Sequence, residues 1–350
     1  MAQYSFDEHY VEMLRSAMCR WEARQYVLHR LDDSLRMLGL HENCVNAIIS
    51  ILTEFVRQPI SPGHLAELLQ DFESEWRIHL DRRYLRDYEA TRWQFMSKYV
   101  LNVVTTPVNR CLDVGCGRGC VTATLFQEKL VKSVVGIDAS DFKKEWNERV
   151  SESAMTGTQT KAAVQYKSVP IGHIESWLKH AGQFDLILLS YVLHHSEEYW
   201  ASKTLNSLKA RLSEEGRIII VEDSLEVDGT VPAAGDPLDL TRVWRQWAIS
   251  AGTYSLTPAY DAQVILDFVA VQLLAGFSDV RMPCHYRTND AWRAYFQQLG
   301  YEIENVRYIG FPAGRDIDVP QSVFVLKLPG SAGATNGSES SRAVQSGESC

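Results

Sequence analysis

The chain has 350 residues, 45% of them apolar and 23% charged, with a net charge of −9. This is the composition of a globular protein long enough for one large or two ordinary domains. The acidic balance argues against a broad nucleic-acid footprint, which needs a basic surface, and no apolar run approaches the ~18 residues of a membrane span.

Residues 1–95 read as an all-helical domain. Apolar positions recur at three- and four-residue intervals, as in Val45, Ile48, Leu52 and Phe55. Ser61-Pro62-Gly63 breaks the run before a further helical stretch from His64 to Phe72. An aromatic-rich segment follows, with Tyr84, Tyr88, Trp93, Phe95 and Tyr99. From about residue 108 the pattern becomes strand, loop and helix in alternation. Strands are predicted at 110–114, 133–138, 163–168, 184–190 and 216–222, with helices at 119–129, 141–152, 171–180 and 197–213. Alternation of this kind implies right-handed βαβ units and a parallel sheet covered on both faces. Phe184-Asp-Leu-Ile-Leu-Leu and Arg217-Ile-Ile-Ile-Val are nearly continuous apolar runs, as buried parallel strands are.

Residues 224–283 interrupt the alternation with an aromatic-rich insertion containing Trp244, Trp247, Tyr254, Tyr260 and Phe268. A helix at 288–299, stopped by Gly300, and strands near 301–309 and 319–328 complete the pattern. Residues 330–350 are rich in Ser, Gly and Ala and read as a disordered tail. The seven cysteines have no disulfide-type spacing and no signal-peptide pattern opens the chain, so a cytoplasmic location is expected.

The densest chemical signal is Cys111-Leu-Asp-Val-Gly-Cys-Gly-Arg-Gly119. A short apolar strand runs into a loop with glycines at 115, 117 and 119, and a helical stretch follows. Glycines there permit positive φ and let a ligand approach the backbone. A second strand ends in Asp138, roughly 20 residues on, where a Rossmann-type fold places the acid that grips a ribose. The spacing Gly-x-Gly-x-Gly, with Asp113 two residues before the first glycine, differs from the dinucleotide pattern Gly-x-Gly-x-x-Gly.

That segment resembles motif I of class I S-adenosylmethionine-dependent methyltransferases. Gly136-Ile-Asp-Ala-Ser is similar to the family's second strand with its terminal acid. Phe184-Asp-Leu-Ile-Leu-Leu-Ser-Tyr-Val-Leu-His-His resembles the fourth strand and the segment after it, and Leu212-Ser-Glu-Glu-Gly-Arg-Ile-Ile-Ile-Val-Glu the entry to the fifth. Arg287 to Ile303 is like the late helix and strand of small-molecule members. The likeness covers about 108–328. It implies an α/β fold: a seven-stranded Rossmann-like sheet with the last strand antiparallel, within a catalytic domain at 96–329. The N-terminal helical domain would precede it, and the insertion after strand 5 would cap the acceptor pocket.

The resemblance also assigns roles. Gly115, Gly117 and Gly119 would wrap the methionine end of S-adenosylmethionine, with Asp113 near its ammonium group. Asp138 would accept hydrogen bonds from both ribose hydroxyls. Ala139 and Ser140 would lie beside the adenine, and Ser190 and Tyr191 where cofactor meets acceptor. The third strand ends without the acid that many members use for the adenine amine; His173, Ile174 or Glu175 would take that place. Ser190-Tyr-Val-Leu is not the Asn/Asp-Pro-Pro-aromatic segment of nucleobase and glutamine amine methylases. No cysteine nucleophile lies between Cys120 and Cys284, which removes the cytosine C5 enzymes.

His194 and His195 are the catalytic candidates, because an imidazole takes a proton near neutral pH. His195 is preferred as the farther along the loop, and the plainer alternative is that they start the next helix. Glu222 and Asp223 end the fifth strand, where either would anchor an acceptor amine or act as base; Asp223-Ser224 would equally serve as a chain-exit cap. Tyr88, Trp244 and Trp247 are candidate acceptor contacts, against the alternative of core or dimer-interface packing. Cys111, Cys116 and Cys120 fall within the glycine loop, so no metal is expected there. The expected reaction is methyl transfer to an oxygen, nitrogen or carbon of a small molecule, with no nucleic-acid or membrane partner and a homodimer suggested by the aromatic insertion. The competing readings are a protein or peptide methyltransferase docking substrate through residues 1–95, and a cofactor-binding regulator without turnover.

Overall fold

The computed structural model describes residues 4, 6–88, 97–104, 106–155, 164–225, 240–250, 257–277, 282, 284–311 and 319–330. The strands are β1 (Val108–Val114), β2 (Val131–Asp138), β3 (Val164–Ser168), β4 (Phe184–Ser190), β5 (Leu212–Asp223), β6 (Glu302–Gly310) and β7 (Gln321–Lys327). They form one seven-stranded sheet in the order β3-β2-β1-β4-β5-β7-β6. β1 to β5 pair in parallel, and β7 runs antiparallel to both β5 and β6. β1 lies between β2 and β4, so the chain reverses its direction of winding there and opens a crevice at the carboxyl ends of the central strands.

Two apolar cores sandwich this sheet. On one face, Ile187, Leu189, Ile218 and Ile220 meet Leu205, Trp292 and Phe296. On the other, Cys111, Val134, Leu186 and Leu188 meet Leu125, Trp146 and Val150. The strand residues alternate between the two faces, which is why these segments are apolar throughout. β5 begins four residues earlier than its expected start at 216, because Leu212 pairs with Phe184 across a register shift in β4. The helix expected at 171–180 is shorter. A single 3-10 turn, Ile171–His173, closed by the His173 amide on the Pro170 carbonyl, precedes a helix at Ile174–Leu178.

The amino-terminal region consists of α1 (Glu8–Cys19), α2 (Trp21–Met37), α3 (Glu42–Arg57) and α4 (Pro62–Leu80), which runs on through a wider helical turn to Tyr88. The starts of α1 and α4 carry conventional caps. Asp7 accepts from the Tyr10 amide at 2.7 Å, and Ser61 accepts from the His64 amide at 3.2 Å with Pro62 in the first turn. The insertion adds a helix at Leu240–Ser250 and another at Thr257–Asp267, continued by a wider turn at Phe268–Leu274. Leu14, Leu31, Ile48, Leu52 and Leu69 share one core with Trp244, Ile265, Phe268 and Leu273. Arg20 pairs with Asp261, and the Tyr26 ring stacks on Trp247 at 4.3 Å. The described residues from 6 to 85 and the described part of the insertion therefore make one helical body. Of the expected tail at 330–350 all but Gly330 lies outside the described residues, as does Tyr254.

Candidate functional site

The glycine loop follows β1 directly. Gly115, Gly117 and Gly119 all have positive φ, at +67°, +49° and +79°. The Gly115 and Cys116 amides donate to the Ile137 carbonyl at 2.8 and 3.1 Å, tying the loop to the end of β2. A Cβ on Gly115 would lie 2.3 Å from Val192, while one on Gly117 would meet nothing within 4 Å. Gly117 thus presents bare backbone to open space. Gly119 differs from its sequence assignment. A Cβ there would run into Trp146 and Val150, so this glycine permits two helices to approach and does not line the cavity.

Two acids frame the loop. Asp138 accepts from the Gly117 amide at 2.8 Å and the Ser140 amide at 2.9 Å. Asp113 is buried and accepts from the Thr122 hydroxyl. Burial pushes the Asp113 carboxyl up to about 7, with the Thr122 hydrogen bond opposing and the Asp138 charge adding to the rise.

The segment after β4 is held by one carboxylate. Glu222 Oε1 accepts from the Val192 and Leu193 amides at 3.0 and 2.7 Å. Its Oε2 meets the His194 Nδ1 at 2.5 Å, while His194 Nε2 stands 3.7 Å from Asp223. Glu222 is fully buried and absent from the cavity wall, which corrects its assignment as a catalytic or acceptor-binding acid. Burial would pull the His194 pKa down, but the Glu222 and Asp223 carboxylates override it and lift it to about 9. His194 is therefore a cation at neutral pH and has no lone pair to accept a proton. His195, half-buried, lines the cavity with its ring centroid 4.0 Å from that of His194. Tyr191 turns the chain between β4 and this loop at φ +58°, a conformation L-residues rarely adopt. Its hydroxyl donates to Gln321.

These pieces open onto one cavity of about 640 Å³. Asp113, Gly115, Gly117, Asp138, Ala139, Ser140, Ser190, Tyr191, His194, His195 and Asp223 all line it. Leu266, Asp267, Ala270, Val271 and Phe277 of the insertion form the opposing wall, and Tyr84 joins them from the amino-terminal helices. Near β3 the wall is Val169, Pro170, Gly172 and Ile174. His173 and Glu175 are not part of it; Glu175 instead pairs with Lys179 and Lys203 at the surface.

The two tryptophan assignments also need correction. Trp244 is fully buried in the helical core, edge-on to Tyr26 and Phe311. Trp247 borders a separate surface hollow with Trp21, Tyr26 and His29. Neither lines the cavity, because their face of the helix packs on α2 while the following helix turns inward. The Tyr88 side chain lies outside the described residues. Sequence reasoning passed over Arg118, Phe142, Asp267 and Phe277. A signal existed for Asp267, a lone acid in the otherwise apolar run Val264 to Leu274 apart from Gln272. His194, His195 and Asp267 bring potential metal-ligand atoms within 4.8 Å of one another. The His194 Nδ1 is committed to Glu222 and its ring holds a proton, so this donor set does not suit a metal.

Residues 81–306 match a family described as a methyltransferase domain. No curated protein matches the chain. Among solved structures, N,N-8-amino-8-demethyl-D-riboflavin dimethyltransferase (RosA) from Streptomyces davawensis is similar at 18% identity and a TM-score of 0.50, over 82% of this chain and 70% of that one. A 1,6-didemethyltoxoflavin-N1-methyltransferase from Burkholderia thailandensis, solved with S-adenosylhomocysteine, shows 16% identity and a TM-score of 0.44, over 76% and 90%. The chain belongs to the class I, Rossmann-like methyltransferase family. It is an enzyme whose methyl donor is S-adenosylmethionine. The residues present fit that donor: bare backbone at Gly117, two acids for its amine and hydroxyl donors, and a cavity reaching from them to His195. Among the described residues, no helix is long and apolar enough to cross a membrane.

Proposed function

We propose that the enzyme methylates a hydroxyl or amine of a small molecule held between the β4–β5 end of the sheet and the helical body. The observation that carries this reading is the single cavity joining the glycine loop, Asp138 and His195 under an apolar wall of Leu266, Ala270 and Val271. Concave, largely apolar sites with a few polar groups are what small ligands occupy. Bound S-adenosylmethionine supplies an electrophilic methyl group on a sulfonium. Asp138 and the Gly117 backbone would hold its ribose, Asp113 its ammonium, and Ala139, Ser140, Ser190 and Tyr191 would border it.

On the acceptor side, His195 takes the proton that the acceptor heteroatom releases as its bond to the methyl carbon forms. His194 cannot do so while it is protonated, and its role is to support the loop. The wall from the helical body excludes water, so the acceptor is the nucleophile in reach. A docking role for residues 1–95 is less well supported, because Leu14, Leu31, Ile48, Leu52 and Leu69 are buried in the core that these helices share with the insertion.

The test is S-adenosylhomocysteine release with a panel of phenols, aromatic amines and aliphatic amines. Turnover with at least one class, and a fall of 10²-fold or more in kcat for His195→Gln, is the expected result. Turnover on a peptide panel alone would overturn the reading, as would undiminished kcat in that variant.

A further inference from the structure

Arg118 occupies the position between Gly117 and Gly119, on the loop that faces the cofactor. Its guanidinium packs beside a pair of touching aromatic rings, 5.2 Å from the centroid of Phe142 and 4.7 Å from that of Phe277, whose centroids are 5.3 Å apart. Phe142 follows the Asp138–Ser140 turn, and Phe277 belongs to the insertion, so the ring pair draws on both the sheet and the helical body. Nη1 of Arg118 is shielded from water and has no hydrogen-bond partner among the described residues. A guanidinium nitrogen in that state is costly to bury unless an acceptor reaches it.

The charge distribution around the cavity says which acceptor. Asp113, Asp138, Asp223 and Asp267 are all on its wall. Arg118 is the sole lysine or arginine among the described lining residues. The amino-acid end of the methyl donor carries an ammonium and a carboxylate. Asp113 suits the ammonium, whereas a carboxylate entering this wall is repelled by its acids, and of the two cations there His194 is already paired with Glu222, which leaves Arg118. The Phe142–Phe277 pair packs against the guanidinium without using its donors, which remain to meet a planar oxyanion.

We propose that Arg118 binds the amino-acid carboxylate of the cofactor. The Phe142–Phe277 pair, packed against it, holds it in place for that contact. This inference rests on the cofactor reading above and adds a residue to it. Because Phe277 lies on the insertion, the same contact links filling of the cofactor site to the position of the acceptor wall.

Two ligands separate this contact from general damage to the site. S-adenosylhomocysteine has the carboxylate; 5′-deoxy-5′-methylthioadenosine keeps the adenosine and the thioether but lacks the whole amino-acid end. Calorimetric titration of the full chain is expected to show Arg118→Gln losing roughly tenfold to hundredfold in affinity for S-adenosylhomocysteine. Affinity for methylthioadenosine should stay within about twofold of the unaltered protein. Arg118→Lys should recover part of the loss, since it restores the charge without the fork. An unchanged S-adenosylhomocysteine affinity in Arg118→Gln overturns the proposal, and so does an equal loss for both ligands. If the unaltered protein binds neither ligand, the cofactor site itself is misassigned and the proposal falls with it. Binding of both by the unaltered protein, with no discrimination in the variant, overturns the Arg118 contact alone.

Discussion

Glu222 and His194 are joined at 2.5 Å with both side chains sealed from solvent, and the same carboxylate accepts from three amides of the loop that carries His195, those of Val192, Leu193 and His194. One acid at the end of β5 therefore sets the path of the chain leaving β4. The two strands are neighbours in the sheet, so the loop is fixed to the element beside it.

Glu222→Gln keeps the size of the side chain but removes its charge, leaving the His194 cation without its close partner. Breaking a buried pair in this way costs about 3–5 kcal/mol. Urea unfolding should register that loss. Turnover should drop at least tenfold as His195 loses its position, while S-adenosylhomocysteine affinity changes by no more than a few-fold. Normal stability together with normal turnover would show that the loop does not depend on this acid.

The His194 cation also gives stability a defined pH dependence. Its pKa is about 9 when folded, against 6.5 for the ordinary imidazole. Between these values the folded state binds more protons than the unfolded one. The contribution is therefore complete below pH 6.5 and disappears as pH rises through about 9. Its size is about 3 kcal/mol. Unfolding free energies between pH 6 and 9.5 should fall more steeply in the unaltered protein than in His194→Asn, and parallel curves would contradict the assignment.

Asp113 predicts an opposite trend for cofactor binding. Its pKa of about 7 means that the carboxyl is largely protonated at pH 6 and ionised at pH 8. A ligand ammonium prefers the ionised form, so S-adenosylhomocysteine should bind about tenfold more tightly at pH 8 than at pH 6. Asp113→Asn should bind weakly and flatten that dependence. A slope that persists in Asp113→Asn would assign the proton to another group.

Gly115→Ala should be more damaging than Gly117→Ala to the fold, and the reverse should hold for the ligand. At 115 the new Cβ strikes Val192 at 2.3 Å on a backbone with φ +67°, which predicts roughly 1–3 kcal/mol of lost stability. At 117 the Cβ meets no protein atom, so the cost to the fold should be the left-handed strain at φ +49° alone, about 1 kcal/mol, and the larger effect steric exclusion of the cofactor. Thermal unfolding paired with S-adenosylhomocysteine titration separates the two. Equal unfolding temperatures for both variants would count against this division.

The sheet was legible because its strands carry their instructions locally. Ile187, Leu189, Ile218 and Ile220 are buried wherever the helices fall, and each glycine or terminal acid sits at a strand end. Asp113, Gly115, Gly117 and Asp138 could be placed for the same reason. Glu222, Trp244 and Trp247 lie off the cavity wall, because a side chain's direction there depends on long-range packing. Trp244 reads as a pocket residue in sequence, yet its helix turns that face onto Tyr26 of α2. Glu222 has the position of a functional acid, but loop amides contributed by Val192 and Leu193 reach it first. Asp267 and Phe277 were missed because the insertion carries no periodicity that says which side meets the cavity.

The core shared by Leu14, Leu31 and Ile48 with Trp244 and Phe268 has a consequence for how acceptor choice can change in this family. The wall that faces the acceptor and the helices at the start of the chain are interlocked parts, although some two hundred residues separate them in sequence. Grafting residues 240–277 from a relative would bring a new wall whose back no longer fits α1 and α2. A working chimera would have to exchange both segments together, so specificity is inherited as a paired cassette.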